Sequence, residues 1–192
     1  MNQNIGAAIL IGGKSSRMGI AKDKLFLTQI CTAVNGLRDK YISVNKAQNP
    51  NISGFSAIFD CCDDIGPIGG ILSCLEATDC DALLILACDM PLYSKYEVDE
   101  ILNIYNGEDI LIPCTSRNMG TAGTAGGYEP LAGIYSRNCI QTIRDHIASG
   151  NYRLRSLFTE PALSFGTYTP AHAEAFTNIN TPDEYQHYQA ER

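Results

Sequence analysis

Positive charge is what this chain has little of. Its 192 residues carry 14 Lys and Arg against 21 Asp and Glu, for a net charge of −7. A nucleic-acid surface needs clustered Lys and Arg, so this balance argues against such a partner. No basic amphipathic run suits a membrane surface, and no apolar run reaches the length that spans a bilayer. The opening Met1-Asn2-Gln3-Asn4 lacks the cationic start and cleavage site of a signal peptide, so a cytoplasmic location is expected. None of the eight cysteines forms a Cys-x-x-Cys pair, and the adjacent Cys61-Cys62 is the one close pair. Without an export signal, these cysteines are expected to stay reduced and to act mostly as small hydrophobes. Two nucleotide loops are also missing. There is no Gly-x-x-x-x-Gly-Lys-Ser/Thr and no Gly-x-Gly-x-x-Gly, so neither a P-loop nor a dinucleotide fingerprint fits.

What is present suits one globular domain, expected over residues 1–192, with 45% hydrophobic and 18% charged residues. The chain is organised around Leu10-Ile11-Gly12-Gly13-Lys14-Ser15-Ser16-Arg17-Met18-Gly19. The apolar run Ile5–Ile11 before it reads as a buried strand. Two glycines then let backbone approach a ligand with no Cβ in the way, and hydroxyls and cations follow. That chemistry suits a polyphosphate, although an ordinary strand-to-helix loop with surface cations has the same composition.

Strands and helices alternate from there, predicting an α/β fold around a mostly parallel sheet. Thr28 is read as the cap of a helix running to about Leu37. Tyr41–Asn45 and Ser56–Phe59 read as strands, ending at Asn45 and Asp60. Pro67 suits the first position of a helix through about Ala77. Asp81–Ala87, apolar from Ala82 onward, reads as the central strand. It runs into Cys88-Asp89-Met90-Pro91, which puts a carboxylate where open α/β sheets bind ligands. Ser94 is expected to cap a helix that Gly107 ends. Asp109–Pro113 reads as a strand, 115–127 as a long glycine-rich loop, and Tyr128–Tyr135 as extended. Ser136 is expected to cap a helix to Ala148. A short helix with Arg153 and Arg155 follows, then a strand over Leu163–Thr169 and a helix capped by Thr181 with Pro182 in its first turn.

The Gly-Gly-x-x-x-Arg-Met-Gly loop followed by a lysine resembles the signature of the nucleotidyltransferases, and most of all the molybdenum cofactor guanylyltransferase family. Four further segments match in order. They are Asp64-Ile65-Gly66-Pro67-Ile68-Gly69-Gly70, Leu86-Ala87-Cys88-Asp89-Met90-Pro91, Glu129-Pro130-Leu131-Ala132-Gly133-Ile134-Tyr135 and Asn178-Ile179-Asn180-Thr181-Pro182-Asp183. The chain departs from the pattern in three places. Ile11 stands where the family has Ala, the lysine is Lys24 or Lys22, and the loop before Glu129 is long. The apolar Leu25-Phe26-Leu27 favours Lys24.

The resemblance implies a Rossmann-like three-layer sandwich of nucleotidyltransferase type. It also implies attack by the terminal phosphate of molybdenum-molybdopterin on the α-phosphorus of GTP, with Mg2+ as cofactor. Arg17, Lys24 and Asp89 are the implied catalytic residues, with Asp89 the metal ligand. Leu10, Ile11, Gly12, Gly13, Lys24, Asn45, Asp60 and Asp89 are implied to bind the nucleotide. Arg153, Arg155 and Asn180 are candidates for the anionic pterin, and 115–127 is a candidate lid. Proteins that deliver molybdopterin and receive the product are implied partners. The rival readings are a molybdopterin cytidylyltransferase or another nucleotidyltransferase of this fold, and a non-catalytic GTP-binding relative.

Overall fold

In a computed structural model, the described residues are 3–11, 22–45, 52–62, 64–115, 127–179 and 181–190; for 22–25 only the backbone is described. The elements run β1 (Ile5–Leu10), α1 (Lys22–Ala33), β2 (Lys40–Val44), β3 (Ser56–Phe59), α2 (Pro67–Ala77), β4 (Ala82–Ala87), α3 (Lys95–Ile104), β5 (Ile110–Pro113), β6 (Ala132–Ser136), α4 (Cys139–Ala148), β7 (Phe165–Tyr168) and α5 (Pro182–Ala190). Two short 3-10 helices, Leu154–Thr159 and Ala173–Phe176, flank β7.

The strands form one seven-stranded sheet in the order β3-β2-β1-β4-β6-β5-β7. β6 alone among the described strands runs against its neighbours, β4 and β5, so the sheet is mostly parallel as expected. From β1 the chain steps outward to β2 and β3, then crosses back to β4 on the other side of β1. Right-handed crossovers in opposite directions must place their helices on opposite faces. The packing follows this rule for α1 and α2, whereas α3, whose step from β4 to β5 runs the same way as that of α2, packs on the α1 face. Ala7, Ile9 and Ile11 face a core with Ile30 and Val34 near α1 and Val98 and Ile101 of α3. Ala8 and Leu10 face a second core with Ile68, Ile71 and Leu75 of α2 and Cys139 and Ile143 of α4. The alternation is the two-residue period of a strand, and it explains why β1 and β4 are apolar on both faces.

Several local readings change. α1 begins by Lys22, so Thr28 lies inside the helix, where its carbonyl accepts from Thr32 Oγ1 at 2.8 Å. The helix ends at Ala33 rather than near Leu37. Lys22-Asp23-Lys24 reads as loop only if polarity is taken for irregularity, yet lysine propagates a helix well. Ser136 ends β6, and Asn138 holds the N-cap position of α4 without a side-chain capping bond, its own N–H donating to Ser136 Oγ at 3.2 Å. The Ser136 hydroxyl donates instead to Asp109 Oδ1 at 3.0 Å. The strand expected over Leu163–Thr169 is the shorter β7. Cys31, Cys74, Cys80, Cys88 and Cys139 are buried as expected of small hydrophobes, but Cys61 is exposed. No helix among the described residues is long and apolar enough to cross a membrane.

Candidate active site

The sheet order reverses between β1 and β4, and open α/β sheets leave a crevice at the carboxyl ends of such strands. Leu10 and Ile11 close β1 there, both buried, and the Ile11 N–H donates to the Ser43 carbonyl at 3.3 Å. Gly12, Gly13 and Arg17 lie outside the described residues. Lys24 is in the first turn of α1 and Lys22 begins it, so both cations sit where the chain leaves the β1 loop.

Asn45 and Asp60 follow the last residues of β2 and β3, at the same edge of the sheet. The Asp60 N–H donates to the Val44 carbonyl at 2.9 Å, which fixes the two strand ends together. The Asp60 carboxylate accepts from the hydroxyl of Ser43, a buried polar residue next to the last of β2. α2 comes in beside them after a turn with left-handed Asp64 and Gly66, at φ 59° and 79°. A Cβ on Gly70 would stand 2.9 Å from Ser43 Oγ and 3.3 Å from Leu10 Cδ2. Such a Cβ would also stand 3.5 Å from Asp60 Oδ1, so glycine lets the first turn of α2 come this near.

Asp89 lies two residues beyond β4, with its Oδ1 buried. Its carbonyl accepts from the Ile179 N–H at 2.9 Å, so the closing segment is fastened to the Asp89 turn by the main chain. Asn180 lies outside the described residues. Because β6 is reversed, its beginning shares this edge with the ends of β4 and β5. That brings in Glu129, which the sequence reading quoted but did not single out. Its Oε1 accepts from the buried Thr115 hydroxyl at 3.1 Å. Burial raises the Glu129 carboxyl above its usual range. The Thr115 hydrogen bond and the Arg155 charge oppose this, and the Asp89 charge adds to it. Glu129, Asp89 and Arg155 thus share one neighbourhood. The clue in the sequence was a carboxylate placed between a glycine-rich loop and an apolar strand.

The two arginines part company. Arg155 faces Glu129 electrostatically, whereas Arg153 lines an open cavity with Asn151, Tyr152 and Ser156. Of 115–127, residues 116–126 lie outside the described residues. Its ends are joined, with Thr115 N–H donating to the Gly127 carbonyl at 2.7 Å. Any Cβ on Gly127 would stand 1.9 Å from the Thr115 carbonyl oxygen, so only glycine fits.

A cation at Asp89 would meet hard oxygen donors. Among the described residues no three His, Cys, Asp or Glu side chains gather into a metal cage. One or two carboxylates without a cage fit Mg2+, which keeps waters and takes phosphate oxygens, better than a structural zinc.

The family model described as "MobA-like NTP transferase domain" matches residues 7–164. A protein of Clostridium perfringens strain 13 named "Probable molybdenum cofactor guanylyltransferase" is 29% identical, over 94% of this chain and 93% of its own length. One of the same name from Flavobacterium johnsoniae is 27% identical over 92% of each. The crystal structure of molybdopterin-guanine dinucleotide biosynthesis protein A from Archaeoglobus fulgidus superposes with a TM-score of 0.76 at 18% identity, covering 97% of both chains. That of 2-C-methyl-D-erythritol 4-phosphate cytidylyltransferase from Thermus thermophilus gives 0.70 at 12%, covering 96% of this chain and 97% of its own. These two likenesses concern the fold. The sequence match extends from inside β1 to the approach of β7, and by it the chain belongs to the MobA-like NTP transferase domain family.

Proposed function

We propose that this protein transfers GMP from GTP to molybdenum-molybdopterin, giving molybdopterin guanine dinucleotide and pyrophosphate. The observation that carries the reading is the row of strand ends at one edge of the sheet. Asp60 and Asn45 stand on one side of the Leu10-Ile11 terminus and Asp89 on the other. A nucleotide laid along that edge has its base toward β3 and its phosphates toward β1 and β4. A carboxylate accepts from the N1–H and 2-amino group of guanine together, and Asp60 is the acceptor on the base side.

The chemistry is a displacement at the α-phosphorus. An oxygen of the acceptor phosphate forms a bond to phosphorus as the bond to pyrophosphate breaks, and the electron pair leaves with pyrophosphate. The chain forms no covalent bond; it positions groups and neutralises charge. Arg17 offers a bidentate fork to phosphate oxygens, and Lys24 a mobile point charge. The backbone of Leu10, Ile11, Gly12 and Gly13 holds the nucleotide face. Asp89 would hold Mg2+, which supplies charge neutralisation at the phosphates when bound.

Pyrophosphate release with Mg2+ and each of GTP, CTP, ATP and UTP, with and without molybdopterin, tests the reading. Release with GTP that depends on the pterin is the expected result. Release with CTP alone would move the protein to a cytidylyltransferase. GTP binding without release under any pairing would make it a binding relative. Asp89→Asn is expected to lower turnover by about 100-fold or more while far-UV circular dichroism stays unchanged. An active variant would mean that the metal is held elsewhere.

A further inference from the structure

Glu129 has no part in holding the nucleotide, yet the fold keeps its carboxylate half-buried near another acid. The β4–β6 ladder pairs Leu86 with Ala132, and the Ala87 N–H donates to the Leu131 carbonyl at 2.9 Å. Past that bond both chains turn, with the Ala132 N–H donating to the Glu129 carbonyl at 3.1 Å, and the Asp89 charge still reaches the Glu129 carboxylate. Like charges close together are unfavourable, so the position is kept against a cost. The Thr115 hydroxyl, shared with the Gly127 carbonyl at 3.2 Å, donates to Oε1 at 3.1 Å, and Oε2 accepts no hydrogen bond among the described residues. The residue before it, Tyr128, belongs to an aromatic cluster packed against the core beneath α2 and α4. Tyr128 meets Phe158 and Phe165 edge-on, each with centroids 5.9 Å apart, and the two Phe rings stack at 4.8 Å.

Asp60 at β3 and Glu129 before β6 lie on opposite sides of Asp89 in the strand order. If the nucleotide occupies the β3 side, the acceptor enters from the β6 side. There it meets the half-buried Glu129 carboxylate and, one residue before it, the partly buried Tyr128 ring. A 2-amino-4-oxopteridine matches that pair: it is flat, and its N3–H and 2-amino group are adjacent donors. We propose that Glu129 is the specificity residue for the acceptor, its carboxylate accepting from the N3–H and 2-amino group of the pterin. A carboxylate oxygen has two lone pairs, so Oε1 can keep Thr115 and still take part. The assignment rests on the nucleotidyltransferase reading above.

The test compares 6-hydroxymethylpterin with 6-hydroxymethyllumazine, which differ in a 2-amino against a 2-oxo group. Binding is followed by the fluorescence of the probe, with and without GTP bound; the chain has 0 Trp to compete. The wild-type protein should bind the pterin about 10- to 100-fold more tightly than the lumazine, the range for hydrogen bonds to a charged group. Glu129→Gln presents an amide in place of the carboxylate. It should lose that preference while its GTP affinity and circular dichroism stay unchanged. In turnover, the KM for molybdopterin should rise more than kcat falls. A wild-type preference that survives in Glu129→Gln would overturn the assignment and leave the transferase reading standing. So would a loss of Mn2+ affinity with the pterin preference intact, which would make Glu129 a metal ligand. A wild-type protein that binds GTP but neither pteridine, and releases no pyrophosphate with molybdopterin, would sink the transferase reading and the assignment with it.

Discussion

Glu129 also carries a stability prediction with a definite sign. Burial, with the Asp89 charge, raises its carboxyl in the folded chain above the unfolded value. The folded state therefore holds that proton more tightly than the unfolded chain does. The resulting stabilisation is fully present below the unfolded value, about pH 4.3, and is lost as pH rises through the folded value. At neutral pH the ionised carboxylate weakens the fold, so Glu129→Gln should raise the Tm. A gain of up to about 3 °C corresponds to roughly 1 kcal/mol in a chain of this length. Below about pH 4 the two proteins should melt together, because the protonated carboxyl and the amide are then alike. Calorimetry across that range checks it, and a variant that melts lower at neutral pH would contradict the sign. The same residue marks how far a sequence can be read. Asp89 was legible because it ends an apolar run. Glu129 was not, because its importance comes from standing near Asp89, and that depends on the direction of β6 and the turn before it, which no local pattern encodes.

Helices announced by local chemistry were read well. α2 has Pro67 in its first turn, and α3 has the reciprocal bonds of Ser94 and Glu97. α5 has the same reciprocal pair in Thr181 and Glu184. α4 was misread at its start because the Ser136 hydroxyl is claimed from another element. Asp109, just before β5, gathers the Ser136 hydroxyl at 3.0 Å and Asn138 Nδ2 at 2.7 Å. It also gathers the Ser164 N–H and hydroxyl at 2.9 and 2.8 Å. One carboxylate thus ties β5 to the turn before β7 and to the β6–α4 corner. Burial alone would raise its pKa, but these hydrogen bonds outweigh burial and lower it. The stabilisation is present above the unfolded value, near pH 3.9, and is lost as pH falls through the folded value. Asp109→Ala should cost roughly 1–3 kcal/mol at neutral pH, the range for hydrogen bonds to a charged group. The loss should shrink in acid, where the wild-type carboxylate is protonated too. Denaturant unfolding at neutral and acid pH separates the two conditions; an equal cost at both would mean that the charge plays no part. The site lies at the other edge of the sheet, so GTP affinity should be unchanged.

The molecule as a whole sets out its chemistry along one line. Asp60, Asn45, the Leu10 terminus, Asp89 and Glu129 follow the order β3-β2-β1-β4-β6 along the carboxyl edge. Asp60 and Glu129 are four strand spacings apart, about 19 Å at the usual separation of neighbouring strands. They also sit against different partners: Ser43 and the first turn of α2 for Asp60, Thr115 and Arg155 for Glu129. Residues this far apart with no shared partner act additively to within about 0.5 kcal/mol. Asp60→Asn should therefore weaken GTP binding and narrow its advantage over the other nucleotides, leaving the pterin–lumazine preference alone. Glu129→Gln should do the reverse, and in the double variant each loss should equal that of its single variant. Titrating GTP and the two pteridines against all four proteins completes the cycle. A coupling well above about 0.5 kcal/mol would mean that one ligand reaches both carboxylates, or that the β1–β4 crevice transmits strain between them. Either would break the division of the edge into a nucleotide side and an acceptor side. Additivity would mean that the reversal of strand order at β1 and β4 does more than open a crevice. It would then separate two recognition problems, donor and acceptor, with Asp89 left between them where the proposed transfer would take place.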